Sequence, residues 1–165
     1  MALIVEDGSG VPGANSYVTL EEAREFAESR GISFPTADAD LEVLLVNGFD
    51  FIESFSSRFQ GMRTVASQAT TWPRSGVVVN GYYVDKATIP QNVKLAQIRA
   101  AEATLEMDLM PMPSAGVVKE KIDVLEVQYD SPMPTGQVLE VPKVMMYLDP
   151  LFYRGGGFRG RAVRG

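Results

Sequence analysis

Residues Thr71–Pro90 read Thr-Trp-Pro-Arg-Ser-Gly-Val-Val-Val-Asn-Gly-Tyr-Tyr-Val-Asp-Lys-Ala-Thr-Ile-Pro. Two β-rich runs, Val77–Val79 and Tyr82–Val84, flank Asn80-Gly81. A type I′ turn needs positive φ at both central residues, and Asn followed by Gly tolerates this best, so the spacing predicts a β-hairpin over 77–84. Trp72 and Pro73 precede it. Ile89-Pro90 follows and reads as a helix start, with Pro90 at the first helical position, where a missing N–H is not needed. One short hairpin therefore joins two helical regions.

The flanking regions carry helical periodicity. Thr19-Leu20-Glu21-Glu22 is a capping box opening a helix over about 19–30, with Leu20, Ala23, Phe26 and Ala27 as its apolar stripe and Gly31 as its stop. Leu41, Leu44, Leu45, Gly48, Ile52 and Phe55 recur on one face of a second helix, about 37–55, capped by Thr36 or Asp38. Gly48 on that face predicts the close passage of another helix. Glu21, Glu25 and Glu28, and likewise Asp50 and Glu53, read as solvated surface charge. The third helix, about 90–109, is the longest expected, with Val93, Ala96, Ala100, Ala103 and Met107 in one stripe. Pro142 opens a short last helix, 142–149, with Pro150 interrupting it.

Between these lie segments of other character. Thr64–Thr71 is polar and weakly patterned. Trp72 reads as a core or interface anchor. Val117–Tyr129 shows period-two features, and Ser131–Val141 is Pro-rich, so both read as extended arms. The fold class is mainly α: a small helical bundle with a projecting hairpin and extended arms, one domain over 1–153. Residues 154–165 form a basic tail, jointed at Gly155–Gly157 and too poor in apolar residues to fold alone.

Composition limits the chemistry. The 165 residues contain no cysteine and no histidine. That removes the thiolate nucleophile, the disulfide, the commonest general base and the commonest transition-metal ligand. A zinc enzyme and a Ser-His-Asp hydrolase are excluded, and no catalytic residue, cofactor or metal is expected. Gly8-Ser9-Gly10-Val11-Pro12-Gly13 matches G-x-G-x-x-G literally. However, Pro12, Gly13, Ala14 and Asn15 hold the chain in a loop where a phosphate-binding helix would have to begin, so it reads as a turn. The N-terminus lacks a basic region and the longest aliphatic run, Val43–Val46, cannot span a bilayer, so a soluble protein made in the cytoplasm is expected.

Charge is uneven. Arg154, Arg159, Arg161 and Arg164 give the tail +4, so the net −6 of the chain leaves −10 for residues 1–153. An acidic body repels nucleic-acid phosphates, whereas the tail attracts them. Val77, Val79, Tyr82 and Tyr83 are more apolar than a free hairpin needs. Together with Trp72 they are the expected contact surface for another subunit.

The ordered set Leu3–Gly8, Ala14–Val18, Phe59-Gln60-Gly61-Met62-Arg63, Trp72–Gly76, Ile89-Pro90, Val118–Lys121 and Leu148–Leu151 resembles the head–tail connector (adaptor) proteins of tailed bacteriophages. Such sequences are often labelled DnaT-like single-stranded DNA-binding proteins. The resemblance covers residues 3–153 and implies a non-catalytic virion protein of the neck: a ring, typically a dodecamer, beneath the portal protein. It further implies a downstream neck or tail-terminator protein as partner and DNA passing through the channel without specific binding. No membrane is involved. The hairpin residues would then meet a neighbouring subunit or neck protein. The tail, with Phe152, Tyr153 and Phe158 as anchors and Arg154, Arg159, Arg161 and Arg164 as donors, would dock on the portal. The alternative is a single-stranded DNA-binding protein of phage replication, for which only Phe152–Arg164 mixes aromatics with positive charge.

Overall fold

A computed structural model of the chain describes residues 2–110 and 140–153. The expected arms, 117–129 and most of 131–141, and the basic tail 154–165 lie outside the described residues.

Among the described residues four α-helices dominate, α1 Leu20–Glu28, α2 Asp38–Glu53, α3 Gln91–Thr104 and α4 Pro142–Leu148, followed by a 3₁₀ turn at Asp149–Leu151. Two antiparallel ribbons sit between α2 and α3: β1 Met62–Arg63 with β2 Arg74–Ser75, and β3 Val78–Val79 with β4 Tyr82–Tyr83. The chain is thus mainly helical with a minor β component.

Helix α1 begins as expected. The Thr19 hydroxyl accepts from the Glu22 amide at 3.1 Å and the Glu22 carboxylate accepts from the Thr19 amide at 2.9 Å, satisfying two of the amides a helix start leaves free. Its stripe Ala23, Phe26 and Ala27 is buried and Gly31 follows with φ +65°. At α2 the cap differs from expectation. Ala37 is the N-cap without a side-chain bond, and Asp38 instead accepts from Arg24 at 2.7 Å. Pro90 is likewise the N-cap residue of α3, not its first helical residue.

The long third helix is corrected. α3 stops at Thr104, whose hydroxyl donates back to the Ala100 carbonyl at 2.9 Å, and α2 is the longer helix, with 16 residues against 14. Leu105 caps the helix with αR backbone, turn bonds to the Ala103 carbonyl carry the chain on to Met107, and of residues Leu105–Met110 only Leu109 is buried.

Helices α2 and α3 form the principal contact. A Cβ at Gly48 would stand 2.7 Å from the Gln97 carbonyl oxygen and 2.9 Å from the Ala101 nitrogen, so glycine is what lets the two backbones meet. Two apolar clusters result. The larger joins Phe49, Phe51, Phe55 and Phe59 to Trp72, Val93, Val144 and Phe152; the smaller joins Val18, Phe26, Leu41, Leu45 and Ile98.

Candidate functional site

The Asn80-Gly81 turn forms as its sequence dictates. φ is +52° and +86° at the two central residues, and the register is Val78 opposite Tyr83 and Val79 opposite Tyr82. Strand β3 leans on the body, where Val78 and Val79 are half-buried, and β4 is the outer strand. Tyr82 is 79% and Tyr83 83% exposed. Successive side chains on a strand point to opposite faces, so a tyrosine stands on each side of the ribbon with neither covered.

The residues around the hairpin fix its root. The Val84 amide donates to the Val77 carbonyl at 2.9 Å, and Val77 is fully buried. The Val78 amide donates to Gln60 Oε1 at 3.3 Å, and the Thr64 hydroxyl donates to the Lys86 carbonyl at 3.0 Å. The neighbouring loop, expected to be weakly structured, is instead held by two buried polar side chains. Gln68 Oε1 accepts from the amides of Thr64 and Val65, while its Nε2 donates to the carbonyls of Thr70 and Pro73, both at 2.9 Å. Arg74 donates to carbonyls of Gln60 at 2.7 Å and Gly61 at 2.8 Å, and more loosely to Phe59 and Thr71 at 3.4 Å. Loop carbonyls thus accept from its guanidinium in place of a carboxylate. Burial, then the nearby Arg63 charge, lower its affinity for a proton below the ordinary arginine value.

Glu53 anchors this loop to α2. One carboxylate oxygen accepts from the Tyr17 hydroxyl; the other accepts from the amide and the hydroxyl of Thr71, each at 2.8 Å. The Trp72 amide donates to the Tyr17 oxygen at 3.1 Å. Burial raises the Glu53 pKa above its ordinary 4.5, opposed by these donors and by Arg63. The reading of Glu53 as surface charge is therefore corrected. Gln97, buried on α3, ties the same region to the N-terminal loop: its Oε1 accepts from the Tyr17 amide and its Nε2 donates to Ser16 Oγ and the Leu45 carbonyl. The available signal was position, since Gln97 falls on the Val93–Ala101 stripe where a polar residue needs a partner.

The expected contact residues divide. Trp72 and Val77 are wholly buried, Trp72 edge-on to Phe59 with ring centroids 5.5 Å apart, and as folded they have no surface to offer. Val79 is half-buried. Phe152 is committed to the core between Phe55 and Phe59, under the Arg58 guanidinium at 4.3 Å, while Tyr153 is exposed. Arg154, Phe158, Arg159, Arg161 and Arg164 lie outside the described residues.

The described residues hold nine Lys or Arg and 17 Asp or Glu. Arg24, Arg58, Lys94, Arg99 and Lys143 are in ion pairs, and Arg74 is buried. Arg30 lies over the Phe26 ring. Arg63 and Lys86, both exposed, remain, and both flank the loop and the hairpin root. No cluster of metal-ligating acids occurs among the described residues, and none of their helices is long and apolar enough to cross a membrane. The glycine loop already holds an anion. The buried Glu6 carboxylate accepts from the amides of Gly8, Gly10 and Val11 at 2.8–2.9 Å.

Residues 1–165, the whole chain, match the model of the family described as "Putative DnaT-like ssDNA binding protein". No curated protein and no solved structure matches the chain.

Proposed function

The chain belongs to this DnaT-like family, and we propose that it is a non-catalytic protein that holds single-stranded DNA. The family match over the full length carries the reading. The hairpin supports it physically. Tyr82 and Tyr83 are uncovered ring faces, and Arg63 and Lys86 at the hairpin root are exposed cations that, like Arg30, lie outside the ion pairs of the described residues. Single strands are bound by stacking on such rings with positive charge along the backbone, with little dependence on sequence. The basic segment 154–164 would supply the remaining charge, because the −8 of the described residues cannot.

Fluorescence anisotropy with a labelled oligothymidylate tests this. Tyr82→Ser and Tyr83→Ser should each weaken binding about tenfold, from a stacking contribution of roughly 1–3 kcal/mol per base, with the fold unchanged. Affinity should also fall steeply with salt. Binding that ignores both substitutions would exclude the hairpin as the stacking platform.

A second reading is a neck protein of a tailed phage, assembled as a ring between portal and tail. The excess of acid and the internal pairing of most cations favour it, since DNA slides past like charge without forming lasting contacts. On this reading Tyr82 and Tyr83 meet a neighbouring subunit, and residues 154–164 dock on the portal. Light scattering of the purified protein, alone and mixed with its portal, separates the two readings: a monomer that binds oligonucleotide supports the first, and a ring that does not supports the second.

A further inference from the structure

Helices α1 and α3 leave an open groove of about 360 Å³ between them. Val18, Phe26, Leu95 and Ile98 form its floor, and Glu22, Glu25 and Lys94 stand on its rim. Lys94 is spent on Glu22 at 2.6 Å. Along the same helix Glu21, Glu25 and Glu28 are exposed, and none forms an ion pair with another described residue. Their spacing of four and three residues puts them on one face. Among the described residues Arg30, over the Phe26 ring at 4.0 Å, is the one opposing charge there outside the ion pairs, so this edge is acidic beside an apolar floor. The complementary segment in this molecule is residues 154–165, with four arginines, no acid and one large apolar residue, Phe158.

We propose that this groove receives the basic C-terminal segment of a second copy of the chain, with Phe158 on the apolar floor and the arginines against Glu21, Glu25 and Glu28. Arginine suits such a contact, since its planar fork matches a carboxylate. A second copy is specified by reach. Tyr153 is tied by its amide to the Arg58 carbonyl, past the C-terminal end of α2. The groove borders the cluster that includes Leu41 and Leu45, in the N-terminal half of that helix. Leu45 to Ser54 alone spans about 14 Å of helix. Phe158 lies five residues beyond Tyr153, at most about 18 Å when fully taut, which leaves almost nothing to round the bundle and enter the groove of the same copy.

The absence of native cysteine makes the test direct. Full-length protein carrying Ser29→Cys at the groove rim is mixed with full-length protein carrying Ala162→Cys and mildly oxidised. The expected result is a disulfide-linked dimer forming about tenfold faster than with a Ser67→Cys partner on the remote loop, slowed to the control rate by Glu21→Lys, Glu25→Lys and Glu28→Lys together. Raising salt to about 0.5 M on the unreversed pair gives the same reading without altering the fold. Equal rates for groove and control, or insensitivity to both charge reversal and salt, overturns the proposal. So does a chain bearing both cysteines that closes within one copy. Added oligonucleotide should compete for the segment if the DNA-binding reading is right. Failure to compete sinks that reading and leaves the docking intact.

Discussion

Gly48→Leu is expected to prevent stable closure of α2 on α3. A Cβ at this position already stands under 3 Å from two backbone atoms of α3, the Gln97 oxygen and the Ala101 nitrogen, and backbone cannot yield as a side-chain end can. Four extra carbons would part the helices along their main contact and uncover Leu45, Phe49 and Ile52. Overpacking typically costs about 1–3 kcal/mol, and the loss of neighbouring contacts adds to that, a large share of the roughly 5–15 kcal/mol that stabilises a domain. Gly48→Ala is the graded control. Alanine gains about 1 kcal/mol in helix propensity and still meets the same two atoms, so a net loss near 1 kcal/mol is expected. Trp72, the single tryptophan, is fully buried in the larger cluster, so its fluorescence through a urea titration reports both variants. An alanine variant more stable than the parent would show that the helices have room to move.

Glu53→Ala is expected to be nearly as damaging for a different reason. It removes the acceptor for the Tyr17 hydroxyl and for the amide and hydroxyl of Thr71, and both residues are fully buried. Stranded buried donors cost about 1–3 kcal/mol each in the worst case, so a loss of about 2–4 kcal/mol and roughly 10 °C in Tm is expected. Glu53→Gln keeps an oxygen for Thr71 and removes a charge that burial disfavours, so it should cost far less. The two forms separate by pH. Because burial raises the Glu53 pKa above 4.5, the folded protein holds this proton more tightly than the unfolded chain. Stability from this group therefore falls as pH rises from 4.5 through the raised value, and returns on acidification. Urea midpoints at pH 5 and pH 7.5 should show the parent gaining on Glu53→Gln at the lower pH. A difference that stays constant, or changes in the opposite direction, rules out burial as the dominant influence on Glu53.

What was legible in the sequence was local. The capping box at Thr19, the face from Leu41 to Phe55, the Asn-Gly turn and the meaning of Gly48 each rest on residues a few positions apart, and each is present in the fold. What was not legible depends on partners distant in sequence. Glu53 looks like surface charge until Thr71, 18 positions on, is folded against it. Gln97 is explained by Tyr17, 80 positions away. The segment 64–71 has no periodicity because its order comes from Gln68 bonding backbone amides and carbonyls and from Glu53 holding Thr71, a pattern without a repeat. The overlong α3 has a smaller cause: Leu105 and Met107 extend the apolar pattern past Thr104, but both are exposed, so no core contact holds another helical turn there. The hairpin was found by its turn, but which of its residues face outward was not. Val77 and Tyr82 are alike in apolar character, and only the placement of β3 against the body separates them.

The loop that begins at Gly8 has a consequence for competition. Its amides form the kind of concave, anion-seeking backbone that elsewhere accepts a phosphate. Here the anion is Glu6, joined to the same loop by two peptide units, so it is a tethered ligand that never diffuses away. Its effective concentration is at least about millimolar, the level set by a short linker, and the fold holds it closer still. A free nucleotide at ordinary cellular levels would have to displace a competitor whose concentration cannot be diluted. The glycine pattern thus persists as the shape of a binding site, with its own chain as the permanent occupant.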